Sequence, residues 1–128
     1  WAVDALCDAA PDIQYIVPRH EQATSYMADG YARSTGKEGV CMMVPGPGVL
    51  NALAGLSTAW ACSARVLFIA GQIPSPTIGK GHGVLHEIPN QSGILKSLTK
   101  WHGLARTADE IPALVHEAFR QLRSKTLP

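Results

Sequence analysis

The amino-acid sequence predicts an α/β domain: a three-layer, doubly wound, mostly parallel sheet with helices on both faces. Three observations predict it. Val40–Val44 and Val66–Ala70 are continuous apolar runs, the pattern of strands covered on both sides rather than on one. Between them, Val49–Cys62 is rich in Ala and Leu and has the length of a helix, completing the strand–helix–strand unit of a parallel sheet. Pro and Gly cluster where each apolar run stops, at Pro18, at Pro45-Gly46-Pro47-Gly48 and at Gly71.

Taken in order, Trp1–Ala10 carries Trp1, Ala5, Leu6 and Ala9 at helical spacing and stops at Pro11. Ile13–Val17 is short and β-rich, and is expected to be a strand ended by Pro18. His20–Ser34 returns to helical spacing, with Ala23, Met27 and Tyr31 on one face and Gly36 placed as a C-terminal cap. The strand, turn, helix and strand already named follow. Gly71–Gly93 then breaks the rhythm with five Gly and three Pro. A loop of that length in a compact domain usually serves function, so it is expected near a ligand. Trp101–Arg106 is expected to be a fourth strand. Thr107-Ala-Asp-Glu110 has the form of a capping box opening a last helix through about Arg123, with Pro112 in its first turn.

The composition narrows the function classes. The chain has 128 residues, one domain's worth, with 46% hydrophobic and 16% charged residues. Eleven Lys+Arg against ten Asp+Glu leave a net charge of +1, and the basic residues are scattered, densest at Arg120, Arg123 and Lys125. No basic surface for nucleic acid or a membrane is expected from that balance. Val40–Ala70 is the longest weakly polar stretch, but Pro45, Pro47, Asn51 and Arg65 interrupt it, so no membrane span is expected. Cys7, Cys41 and Cys62 are odd in number and widely spaced, two of them inside apolar runs. That suits reduced, buried thiols and a cytoplasmic setting. The chain opens mid-pattern at Trp1, without an initiator Met, and is expected to be a piece of something longer.

In doubly wound sheets ligands sit beyond the carboxyl ends of the strands. Those ends are Pro18-Arg19-His20-Glu21, Pro45–Gly48 and Gly71-Gln72. The glycine turn fails the dinucleotide fingerprint at its third Gly and lacks the Gly-Lys-Ser/Thr of a phosphate loop. It reads either as a tight turn or as a place where Gly46 and Gly48 let backbone approach a flat ligand, with Asn51 offering an amide. Glu21 is placed either to cap the helix it begins or to act on a bound ligand. Gln72 has the same ambiguity. His82 and His86 are four residues apart, but Gly81 and Gly83 point to a loop, and no metal site is expected. His20, His102 and His116 read as surface or boundary residues.

These residues together resemble a known family. Arg19-His20-Glu21-Gln22-Ala23, then Met27-Ala28-Asp29-Gly30-Tyr31-Ala32-Arg33 and Thr35-Gly36-Lys37, resemble the segment around the activating glutamate of thiamine-diphosphate enzymes of the acetolactate synthase type. Pro45-Gly-Pro-Gly48 with Asn51-Ala-Leu-Ala-Gly55, Ala70-Gly71-Gln72, His86-Glu87 and Leu98-Thr99-Lys100-Trp101 continue the resemblance in order. It covers nearly all of residues 1–128, which are identified as a single pyrimidine-binding domain, truncated at both ends, with the 71–93 loop near the active site.

The resemblance implies thiamine diphosphate as cofactor and a small 2-keto acid as substrate, decarboxylated and then carboligated in a transferase or lyase reaction. It implies that Glu21 is the catalytic residue, bonding N1′ of the aminopyrimidine to favour the imino tautomer whose N4′ takes the C2 proton. Gly46, Pro47, Gly48, Asn51 and Gln72 are the cofactor-binding positions it implies, with Gln72 and His86 facing substrate. His86 departs from the Gln usual in acetolactate synthases. The family's Gly-Asp-Gly and Asn-Asn signature for Mg2+ and diphosphate does not occur in this sequence. It belongs to a pyrophosphate-binding domain, supplied in the family by a second subunit, so a homodimer or homotetramer is implied and the isolated domain is expected to be inactive. FAD is left open, because some relatives bind it outside this domain. A subunit of a two-chain 2-keto acid decarboxylase and a noncatalytic cofactor-binding or regulatory domain stay as alternatives. The implied role needs a carboxyl that holds a proton near neutral pH. Burial raises such a pKa by up to ~3–5 units, whereas a helix N-terminus favours the charged form by under about one unit. A covered Glu21 is therefore expected to be raised, and an uncovered one to shift little.

Overall fold

The computed structural model describes residues 2–10 and 12–124. The elements run α1 (Ala2–Asp8), α2 (Glu21–Thr35), β1 (Gly39–Met43), α3 (Pro47–Ala61), β2 (Val66–Ala70), α4 (Gln91–Lys96) and α5 (Ile111–Arg123), with single 3-10 turns at Ser75–Thr77 and Ala108–Glu110. β1 and β2 pair in parallel from Gly39↔Val66 to Met43↔Ala70, with α3 as the crossover between them. This is the α/β layer with a parallel sheet that the sequence predicts.

The core forms where one face of the sheet meets α2 and α3. Along β1, Gly39, Cys41 and Met43 are buried while Val40 is exposed, so the strand shows one face to the helices. Ala28 of α2 and Val49, Ala52 and Leu56 of α3 close over Cys41 and Met43, and Leu95 joins from α4. Small residues set the spacing: a Cβ on Gly39 would overlap the Ala28 carbonyl, and one on Gly55 would overlap the Ser25 hydroxyl. Glycine at these two places lets α2 lie directly on β1 and on α3.

α2 starts and stops by local chemistry. Extended His20 is the N-cap, its Nδ1 accepting from the Gln22 N–H at 3.1 Å. At the other end Gly36 is left-handed (φ 71°) and its N–H donates to the Ala32 carbonyl at 2.9 Å. The cap matches the expectation; the buried face does not. Ser25, Ala28, Asp29 and Ala32 face inward, whereas Met27 and Tyr31 are exposed. Close helix approach selects the small side chains, which turns the larger apolar ones outward.

Four further expectations need correcting. Ile13–Val17 is not a strand: no described strand pairs with it, and its side chains stand exposed, from 44% at Tyr15 to 71% at Val17. β propensity does not make a strand unless a neighbour supplies the ladder. Trp101–Arg106 is likewise irregular. Lys100 ties its start to the end of α5, Nζ donating to the Gln121 carbonyl at 2.9 Å and to Ser124 Oγ at 2.6 Å. The capping box at 107–110 is not made, because the Thr107 side chain caps nothing and Glu110 Oε2 accepts from the Arg106 N–H at 2.7 Å rather than from that of Thr107. Finally, Cys41 alone of the three thiols is buried, Cys7 and Cys62 being exposed. The readings that fall on Trp1, Pro11 and Lys125 lie outside the described residues.

Candidate active site

The chain turns from β1 into α3 through Gly46, whose backbone (φ 63°, ψ −118°) is open only to glycine. The His86 carbonyl lies where a Gly46 Cβ would be, so the long loop returns onto this turn. Pro47 then starts α3 at a position where its missing N–H is no loss. Gly48, one residue on, is buried; a Cβ there would overlap Val44 Cγ2 and stand 3.6 Å from Glu21 Cγ. The exposed Val44 side chain takes the place of that missing Cβ, with the Glu21 stem next to it.

Glu21 is the first residue of α2, half-buried, beside Gly48. Asn51 Nδ2, a turn into α3, donates to Glu21 Oε2 at 3.1 Å. The Glu21 carboxyl is held below the usual carboxylate range, chiefly by its own backbone N–H and then by the Asn51 amide, with burial opposing them weakly. Hydrogen bonds therefore set the direction of the shift in the uncovered carboxyl. His20 is more than a boundary residue, since it takes the capping role that Glu21 could have filled.

Glu21, Gly48 and Asn51 are thus brought together, with Gly46 and Pro47 in the turn that joins them. Gln72 and His86 are not joined to this group by any hydrogen bond. Exposed Gln72 turns its Oε1 to the Ile73 N–H at 2.8 Å, although Gly71 before it packs 3.0 Å from Pro45 Cδ, measured from the Cβ it lacks. His86 is left-handed (φ 69°) and contributes its carbonyl to the turn. Glu87 closes the loop on itself, accepting from the N–H groups of Gly81 at 3.1 Å and Val84 at 2.9 Å.

Sequence reasoning missed Gln91, buried at the start of α4 and bonded to both strand ends. Asn90, whose side chain accepts from the Gly93 N–H at 3.1 Å, is the N-cap that could have marked α4. A separate cavity of ≈ 550 Å³ runs along β2 between α4 and α5, walled by Leu95, Trp101, Leu114 and Val115 and bordering Gln72 and Gln91. Neither Glu21 nor Asn51 lines it. Among the described residues no three His, Cys, Asp or Glu side chains converge as a metal site, and no helix is long and apolar enough to cross a membrane.

Residues 2–94, which hold every one of these site residues, match the family model described as "Thiamine pyrophosphate enzyme, N-terminal TPP binding domain". The chain belongs to this family. Among its relatives are an acetolactate synthase of Arthrospira platensis, 43% identical over 112 residues, and the mitochondrial acetolactate synthase catalytic subunit of Saccharomyces cerevisiae, 34% identical over 105. A Pseudomonas aeruginosa protein named "Probable 2-ketoarginine decarboxylase AruI" is 39% identical over 107 residues. These alignments take in 88%, 82% and 84% of this chain but only 19%, 15% and 19% of the relatives. The TPP-binding domain described here therefore spans less than a fifth of the curated relatives it matches. Its residues fit an aminopyrimidine on chemical grounds: a carboxylate for a ring nitrogen, with a side-chain amide beside it that holds the carboxylate in place.

Proposed function

We propose that this TPP-binding domain holds the aminopyrimidine of thiamine diphosphate and activates it through Glu21, in an enzyme that decarboxylates a 2-keto acid and ligates the remaining carbon fragment to an acceptor. The observation that carries this reading is the Glu21 carboxylate on the first residue of α2, bonded by Asn51 beside the Cβ-less Gly48. When bound, the cofactor supplies the electron sink. Gly46, Pro47, Gly48 and Asn51 shape the ring's seat, Gln72 and the loop around His86 border the reacting centre, and Glu21 holds or gives up the proton at N1′. In the open domain the hydrogen bonds to Glu21 favour the ionised form. Covering by a pyrophosphate-binding domain, which would bring Mg2+, removes water and raises the carboxyl toward the range where it shares a proton.

That covering domain belongs in the proposal to the remaining four fifths of a longer chain, within a homodimer or homotetramer. Tyr26, Met27 and Tyr31 stand exposed on the outer side of α2 and give it an apolar surface to meet. The free thiols Cys7, Cys41 and Cys62 agree with the reducing cytoplasm. The relatives name both a synthase and a decarboxylase, so a panel of 2-keto acids, 2-ketoarginine included, decides the substrate.

In the complete protein, Glu21→Gln should retain thiamine diphosphate binding yet slow exchange of the cofactor's C2 proton and substrate turnover by about 10²–10⁴-fold. Unchanged exchange and turnover would sink the reading.

A further inference from the structure

Gln91 is 6% exposed and opens α4. Its amide is used at both ends: Oε1 accepts from the Gly46 N–H at 2.8 Å, and Nε2 donates to the Gly71 carbonyl at 2.8 Å. The two bonds fix the direction of the amide, since only its oxygen accepts and only its nitrogen donates. The partners lie on different connections. Gly46 is in the turn after β1, and Gly71 follows β2 directly, its own N–H donating to the Met43 carbonyl at 2.9 Å. Gln91 therefore spans the two strand ends beyond the last bond of the ladder.

The strut leads into the site. Gly46 is buried, held in its glycine-only conformation, and overlaid by the His86 carbonyl. One residue past Pro47, Gly48 borders the Glu21 stem, and Asn51 donates to Glu21 a turn later. Without Gln91, the buried Gly46 N–H and the Gly71 carbonyl both lose partners. Such groups recover by moving to water, and any movement of Gly46 carries the start of α3 with it.

The geometry points to Gln91 as a positioning residue: it acts through Gly46 to set the start of α3, and with it Gly48 and Asn51, against Glu21 for an aminopyrimidine. This rests on the reading that the site takes thiamine diphosphate.

The test uses the complete protein, with Gln91→Met removing both bonds and Gln91→Glu keeping an acceptor for Gly46 while turning a carboxylate oxygen toward the Gly71 carbonyl. Thiamine diphosphate binding with Mg2+ is measured by calorimetry well below each protein's unfolding temperature, and hydrogen exchange is followed at the Gly46 amide. Both variants are expected to weaken binding about tenfold or more, with Gly46 protection lost in Gln91→Met and kept in Gln91→Glu. A residue needed only for folding would lower the unfolding temperature and leave the dissociation constant unchanged, and that result overturns the proposal. If Gln91→Met does not fold, unchanged binding by Gln91→Glu overturns it alone. Wild-type protein that binds no thiamine diphosphate overturns the functional reading instead. In that case an unprotected Gly46 amide in the wild type overturns the strut as well.

Discussion

Asn51 Nδ2 and Glu21 Oε2 are joined at 3.1 Å, a hydrogen bond across 30 residues that links the second turn of α3 to the first residue of α2. Glu21 opens α2, and Asn51 stands one turn into α3. Their pairing depends on how closely those helices pack. An amide donor stabilises the carboxylate over the carboxylic acid, so the contact also sets the charge of the group proposed to handle the proton.

Replacing Asn51 by Ala should raise the Glu21 pKa toward its ordinary value, and Asn51→Asp should raise it further by adding a negative charge nearby. Because the folded-state pKa of Glu21 lies below its unfolded value, its contribution to stability is complete above the unfolded pKa and is lost as pH falls through the folded one. In Asn51→Ala that acid-side loss is smaller and is complete at a higher pH. Carbon-detected NMR titration of the Glu21 carboxyl checks the direction. A pKa unmoved by both substitutions would remove Asn51 from the account.

Gly48→Ala separates stability from binding. The added Cβ meets Val44 Cγ2, the end of an exposed side chain that can rotate away, and comes near the Glu21 stem. Replacing a helical glycine by alanine also gains about 0.5–1 kcal/mol in a helix interior. The unfolding free energy should therefore change by no more than about 1 kcal/mol in either direction. Thiamine diphosphate affinity in the complete protein should nevertheless fall, because the methyl and the displaced Val44 crowd the Glu21 stem. Calorimetry beside thermal unfolding checks both halves.

The thiols divide by burial. Cys41 is enclosed in the core, its Sγ 3.8 Å from the Leu67 carbonyl, and desolvation pushes its pKa up to about 12. Cys7 and Cys62 are exposed. A disulfide reagent added to the native 128-residue chain should label Cys7 and Cys62 promptly, and Cys41 only after denaturant is added. Rapid labelling of Cys41 would show that the α2–α3 layer opens over β1.

What could be read from the sequence and what could not separate along one physical line. The runs at 40–44 and 66–70 and the helix between them are legible because they follow one another as a strand–helix–strand unit, although Val40 and Val44 stand exposed rather than covered. The Gly36 cap is legible because it is local. Ile13–Val17 and Trp101–Arg106 carry the same apolar content, yet a strand is a pairing, and a pattern within one segment cannot state whether a partner stands beside it. The face of α2 was misread for a related reason. Large apolar residues suggest the core, but the glycines of α3 and β1, far along the chain, reward Ser25 and Ala28 instead. In the site, Glu21 and Asn51 could be singled out by type and place, whereas the contact between them could not. Gln91 left no signal beyond Asn90, because a buried amide is recognisable only once both partners are in view.

Gly55→Ala tests the packing on which the site depends. Here the new Cβ would overlap Ser25 Oγ and lie 2.7 Å from the Tyr26 backbone nitrogen, and that backbone belongs to α2 and cannot rotate aside. The gain in helix propensity offsets part of the strain, leaving an expected loss of about 1–3 kcal/mol in unfolding free energy. The relief open to the fold is to move α2 away from α3, and Glu21 and Asn51 ride on those two helices. Gly55→Ala should therefore raise the Glu21 pKa as Asn51→Ala does, although residue 55 touches neither group. A double variant with Asn51→Ala should then show no further rise. Denaturant unfolding and the same carboxyl titration read both effects; a destabilised protein whose Glu21 pKa stays depressed would mean that the helices absorb the methyl without parting at the site.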